Sequence, residues 1–153
     1  MASRPRSWGE FAEESPELAS LGAARFGTRV AYLATIGDDH APRVHPFTPL
    51  LLEDRLFCFM RRQSPKGKDL RRNGRFAIHA AVENEEGGGG EFWIAGQARA
   101  LDNDQELRRG IASGAGYEVQ ADDSLFEFLL LRADSLVYEG DGPSRMRWRA
   151  HNG

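Results

Sequence analysis

With a single cysteine, Cys58, the 153-residue chain has no means of closing an intramolecular disulfide, which fits a reducing, cytoplasmic setting. Cys58 sits in the apolar run RLFCFM with no activating neighbours in sequence, so it reads as a packed core residue rather than a nucleophile. Long apolar runs are lacking as well. Stretches such as FTPLLL and FEFLLL fall far short of the roughly 20 residues that a bilayer-spanning helix needs, so no membrane association is expected. The opening residues MASRPRSWGEF carry arginines but no apolar signal core, and nothing there directs secretion. No G-x-x-x-x-G-K loop and no G-x-S-x-G elbow occurs, which removes P-loop and nucleophile-elbow chemistry. The four histidines, His40, His45, His79 and His151, fall without the spacing of a tetrahedral metal set, so no metal site is expected. A net charge of −3 argues against general nucleic-acid binding.

What is present is the composition of a globular protein: 41% hydrophobic residues, 28% charged, nine Phe and three Trp. The length suits one domain over 1–153, with an N-terminal helical segment over 1–27. SPELASLGAARF (15–26) predicts an amphipathic helix with Ser15 as its cap and Pro16 in its first turn. RVAYLATI (29–36) reads as a strand that ends at the turn cluster GDDHAP. RVHPFTPLLL follows, its Pro46 and Pro49 confining it to an edge or an irregular part of a sheet. LFCFM (56–60), RFAIHAAV (75–82), EFWIAGQARAL (91–101) and LFEFLLLRADSLVYEG (125–140) are further strands, and RMRWRA is a last short one. A helix with Asp102 or Asp104 as its cap fits DNDQELRRGIASG, and the glycine-rich ENEEGGGGE reads as an exposed loop. Trp8, Trp93 and Trp148 read as core or interface aromatics. Many hairpin-linked strands with a few short helices predict a mainly β protein, a small β-barrel with helical plugs.

The basic segment SPKGKDLRRNGR (64–75) carries the sharpest functional signal, because one carboxylate, Asp69, stands among many cations. Ser64-Pro65 starts a helix and Asn73-Gly74 stops it. A helix start offers unpaired N–H groups and partial positive charge, so Ser64, Lys66 and Lys68 in that first turn suit a phosphate group. Arg61, Arg62, Arg71, Arg72 and Arg75 read instead as a solvated cationic face.

Taken in order, LATIGDDHAPRVHPFTPLLLEDRLFCFM and SPKGKDLRRNGRFAIHA resemble the FMN-binding split β-barrel family that includes pyridoxamine 5'-phosphate oxidase, over about residues 29 to 100, with a weaker echo in RMRWRA. The resemblance implies that Arg43, Lys66 and Lys68 clasp the 5'-phosphate of FMN, with Ser64 as a hydroxyl donor. It places Val44, His45, Pro46, Phe47 and Thr48 along the isoalloxazine ring, with Phe59 and Met60 walling the same cleft. His45 would then donate to a flavin heteroatom or shuttle a proton; the alternative is a partly exposed strand histidine with a backbone partner. The family's flavin lies between two protomers, so the chain is expected to be a homodimer, with Glu91 and Trp93 near the partner's cofactor. Three features depart from the vitamin oxidase. Thr48 stands where that enzyme has a substrate lysine, Glu91 where it has a flavin-contacting glutamine, and no Arg-x-His precedes Trp148. A small organic substrate other than pyridoxamine phosphate is therefore expected.

Two alternatives keep the same cradle. One is a reductase that uses the deazaflavin coenzyme, whose longer anionic tail suits Arg61, Arg62, Arg71 and Arg72. The other is a non-enzymatic flavin- or haem-binding module.

Overall fold

The computed structural model describes residues 3–27 and 30–152. Arg29, the first residue of the expected strand 29–36, lies outside the described residues. The chain folds into an eight-stranded antiparallel sheet: β1 (Ala31–Ile36), β2 (Pro42–Phe47), β3 (Leu50–Leu52), β4 (Arg55–Arg61), β5 (Arg75–Ala80), β6 (Glu91–Ala100), β7 (Asp123–Glu139) and β8 (Gly142–Arg149). The strand order is β2-β1-β5-β6-β7-β4-β3, and β8 pairs with β7. The edge strands β2 and β3 are joined by Thr48 and Pro49 alone, so the sheet has to curl until its two ends meet at that link. A barrel results, split where β2 and β3 remain unpaired with each other.

Each strand forms for a local reason. In β1 and β5 apolar residues alternate inward, with Ala31, Leu33, Phe76, Ile78 and Ala80 buried. The expected RVHPFTPLLL section divides at Thr48-Pro49 into β2 and β3, and the proline-bearing β2 is indeed an edge strand. The 17-residue β7 pairs along its length with β6, at its start with β4 and at its end with β8. A register shift at Ala95/Gly96 lets β6 and β7 bend together.

Four helices cover the sheet: α1 (Trp8–Glu14), α2 (Pro16–Phe26), α3 (Pro65–Arg72) and α4 (Gln105–Ser113). The 1–27 segment holds two helices rather than the one expected over 15–26. A capping box starts α1, with Ser7 accepting from the Glu10 N–H and Glu10 accepting from the Ser7 N–H. Ser15 does not cap α2 through its side chain; its N–H closes α1 on the Phe11 carbonyl at 2.8 Å. Pro16 opens α2 as expected. Asp104, not Asp102, caps α4 through the Leu107 N–H at 3.0 Å.

The main core joins α1 and α2 to the barrel interior through aromatic contacts, Trp8 to Phe11 at 5.2 Å and Phe26 to Phe92 at 5.3 Å between ring centroids. Gly22 allows α2 this close, because a Cβ there would stand 2.3 Å from the Phe92 ring. Trp148 packs on Phe11 at 4.9 Å and Cys58 is buried, so both are core residues. Burial pushes the Cys58 thiol above its ordinary range, which keeps it unreactive. No helix among the described residues is long and apolar enough to cross a membrane.

Candidate cofactor site

Where the β2 edge meets α3, one buried carboxylate gathers three side chains directly and a fourth through Thr35. Asp69 is 1% exposed. Its Oδ2 accepts from Thr35 Oγ1 at 2.8 Å and pairs with Arg43 Nε at 3.2 Å, and its Oδ1 pairs with Arg72 Nη1 at 3.3 Å. His45 Nε2 lies 3.3 Å from the same Thr35 hydroxyl. Thr35 has one proton to give and the carboxylate can only accept, so His45 Nε2 must be the donor on its side. The neutral imidazole therefore keeps its proton on Nε2 and its lone pair on Nδ1. Burial pushes His45 below its ordinary basicity, the nearby Lys66 lowers it further, and Asp69 opposes the shift. Neutral His45 is the resting form at pH 7.

Local sequence places these groups. In register, Thr35 of β1 stands opposite Arg43 and Leu33 opposite His45, so Arg43, His45 and Phe47 share the side of β2 that α3 covers. Gly37, in the turn after β1, lets the Arg43 guanidinium fold across it, since a Cβ at that position would stand 2.9 Å from Arg43 Nε. Ser64 caps α3 by accepting from the Gly67 N–H at 3.1 Å and donates to the Arg61 carbonyl at 2.8 Å. Lys66 and Lys68 form no ion pair or side-chain hydrogen bond among the described residues. Arg71 is held by Asp102 at 2.6 Å and by the Ser124 hydroxyl at 2.6 Å.

The opposite face of the same strands is apolar and open. Val44 is 68% exposed and Tyr32 46% exposed. With Ala34, Ala77, His79 and Trp93 they line a shallow depression of about 430 Å³. His79 Nδ1 lies 2.7 Å from the Ala80 carbonyl, which can only accept, so Nδ1 carries a proton. Glu91 Oε1 is 3.6 Å from that Nε2.

The thirteen residues expected at a cofactor thus fall into separate sets. Arg43, His45, Ser64, Lys66 and Lys68 gather around the α3 start, while Val44, Pro46, Glu91 and Trp93 lie on the outer face of the sheet. Thr48 is half-buried in the β2–β3 link. Phe47 and Met60, expected beside an open ring site, are buried in the main core, with Phe47 packed on Phe128 at 5.8 Å. Phe59 points to the α4 side, where the Arg108 guanidinium lies over its ring at 5.5 Å. Alternation along β2 and β4 explains the division, because neighbouring residues of a strand face opposite sides. Sequence reasoning missed Thr35 and Asp69 as organisers of the site. The signal was there in Asp69, the one acid of the basic segment.

No family profile and no curated protein matches the chain. Solved structures do. A NimC/NimA family protein from Clostridium acetobutylicum aligns with a TM-score of 0.61 at 17% identity, over 92% of this chain and 94% of that one. HutZ, the haem storage protein of Vibrio cholerae, aligns with a TM-score of 0.60 at 16% identity, over 89% and 94%. A haem-binding protein from Mycobacterium smegmatis gives a TM-score of 0.62 at 19% identity over 83% of this chain, which spans 57% of that protein's length. The chain has the split β-barrel fold of the pyridoxamine 5'-phosphate oxidase-like proteins.

Proposed function

We propose that the chain binds FMN and serves as an oxidoreductase for a small organic substrate, working as a cytoplasmic homodimer with the cofactor between protomers. The observation that carries this reading is the charge distribution at the α3 start. Arg43 and Arg72 are committed to Asp69, whereas Lys66 and Lys68 remain unpaired among the described residues beside a capped helix start. A phosphate monoester carries close to two negative charges at neutral pH, and two lysines with the Lys66 N–H of the first turn match it, the Gly67 and Lys68 N–H groups being bonded to Ser64. Bound FMN would supply two-electron transfer. The protein's share is to anchor the phosphate through Lys66 and Lys68, to hold Arg43 in place through Asp69, and to offer His45 Nδ1 as a hydrogen-bond acceptor. The exposed Val44 and Tyr32 supply an apolar face that a second protomer would cover.

Of the four arginines that the deazaflavin alternative assigns to a longer tail, Arg71 and Arg72 are engaged with Asp102, Ser124 and Asp69, while Arg61 and Arg62 are exposed and carry no ion pair among the described residues. A flavin-fluorescence titration tests the FMN reading. Saturable quenching that weakens on Lys66→Ala supports it, and an unquenched titration of the wild type sinks it.

A second reading, haem binding, is favoured by His79. His79 lines the apolar depression while a backbone carbonyl fixes its ring through Nδ1, the arrangement in which histidines ligate metals, with Nε2 3.6 Å from Glu91 Oε1. Haem also figures in the descriptions of two fold relatives. A Soret band that appears with hemin and is lost in His79→Ala would carry this reading, and a band unaffected by that substitution would remove His79 from it.

A further inference from the structure

We propose that the recess between β6, β7 and β8 is an anion subsite that receives the carboxylate or phosphate of a ligand whose apolar body lies on the neighbouring Tyr32, Val44 and Trp93 face. The recess has a volume of about 210 Å³ and is bordered by Glu91, Trp93, Arg132, Asp134, Arg145 and Arg147. Trp93 and Glu91 also line the apolar depression, so the two spaces are continuous. The subsite rests on the proposed dimer with its ligand held between protomers, so that the ligand's apolar body lies between this outer face and the second protomer that covers it, and names the chemical class of ligand it takes.

Charge and geometry carry the argument. Register sets Asp134 opposite both Trp93 and Arg147, which gathers the charged groups at one level of the sheet. Asp134 is 7% exposed, and its two oxygens pair with Arg132 Nη2 at 3.1 Å and Arg147 Nε at 3.3 Å. Arg132 also stacks on the Trp93 ring at 4.5 Å, with its Nε buried and without a hydrogen-bond partner among the described residues. Arg145 lies beside them with no ion pair among the described residues. Three guanidiniums therefore face two carboxylates, and Glu91 is turned toward His79. An incoming anion would relieve the excess positive charge and meet donors in the planar fork that guanidinium presents. The aromatic floor beside them favours a flat apolar body on the same ligand.

The test compares 2-naphthoate with its neutral counterpart 2-naphthamide by isothermal titration of the purified protein, with flavin content read from absorbance in the same samples. The expected result is tighter binding of naphthoate by about tenfold or more, the scale of a charge-assisted pair, with the preference lost in Arg145→Gln and Arg147→Gln. Equal binding of the two probes, or a preference that survives both substitutions, overturns the subsite. Flavin content separates the two readings. Protein that holds no FMN yet keeps the naphthoate preference removes the flavin and retains the subsite. Protein that holds FMN but treats the probes alike does the reverse. Circular dichroism of both variants guards against loss of fold, and Arg145, exposed on β8, is the substitution least expected to disturb it.

Discussion

Arg43 reaches from the edge strand β2 to Asp69 on α3, its Nε 3.2 Å from a carboxylate oxygen that is almost wholly removed from solvent. That pair fixes the distance between the sheet edge and the start of the basic helix. It also explains how a crowd of cations tolerates a shared location, since Asp69 takes up Arg43 and Arg72 and leaves the two lysines for a ligand.

Replacing Lys66 by Ala is expected to weaken FMN binding by about 1–3 kcal/mol, roughly 5- to 150-fold, because a charge-assisted contact to phosphate is lost. Arg72→Ala should alter FMN affinity far less. Fluorescence titrations of the two variants side by side check this, and equal losses would mean that the lysine has no special place.

Asp69→Asn removes the charge but keeps the shape, so the Thr35 hydroxyl and two guanidiniums lose their ionic acceptor. Both arginines are about two-fifths exposed, which screens their share, and a stability loss of about 1–3 kcal/mol is expected from the buried hydrogen bonds. Urea unfolding measures it. FMN affinity should fall in the same variant, because Arg43 loses its tether.

In sequence, α3 was legible at both ends, since Ser-Pro and Asn-Gly punctuate it, and so was the edge position of β2 from its prolines. The role of Asp69 was not. Its burial follows from tertiary contact between α3 and β1, and no local pattern in a short helix with only one buried leucine reveals that contact. The α1 capping box, Ser7 to Glu10, is legible in S-W-G-E as well, since Ser three residues before Glu is its local pattern. The burial of Phe47 and Met60 needed the strand register, which sequence leaves open until partners are known.

His45 gives the fold a pH dependence of definite sign. Its basicity is lowered on folding, so the unfolded chain binds the proton more readily. The stability tied to neutral His45 is complete above its ordinary value of 6.5 and is lost as pH falls through 6.5 toward the depressed folded value. The slope from one such group cannot exceed about 1.4 kcal/mol per pH unit. Glu10 acts in a lower window, because its hydrogen bond from Arg4 and that from the Ser7 N–H hold its carboxyl at about 2, and its share is lost only as pH falls from 4.5 toward that value. Unfolding curves at pH 7.5 and 5.5 should therefore differ more for the wild type than for His45→Gln; identical differences would remove His45 as the cause.

Val44 is 68% exposed at the centre of the apolar outer face, so Val44→Glu should leave the monomer's fold intact. If that face joins two protomers, a buried and unpaired carboxylate there would shift the protein from dimer to monomer and lower FMN affinity with it. Sedimentation velocity of the two forms decides the matter. A variant that stays dimeric would place the interface elsewhere, and a wild-type monomer would remove the dimer from the account.

The most direct measurement for the central claim is the visible absorbance spectrum of the protein after FMN is added and the excess removed by desalting, taken for the wild type and for Lys66→Ala. The account predicts twin flavin bands retained by the wild type and diminished in the variant. A colourless wild-type protein would contradict it and leave a split barrel whose basic helix serves another anion.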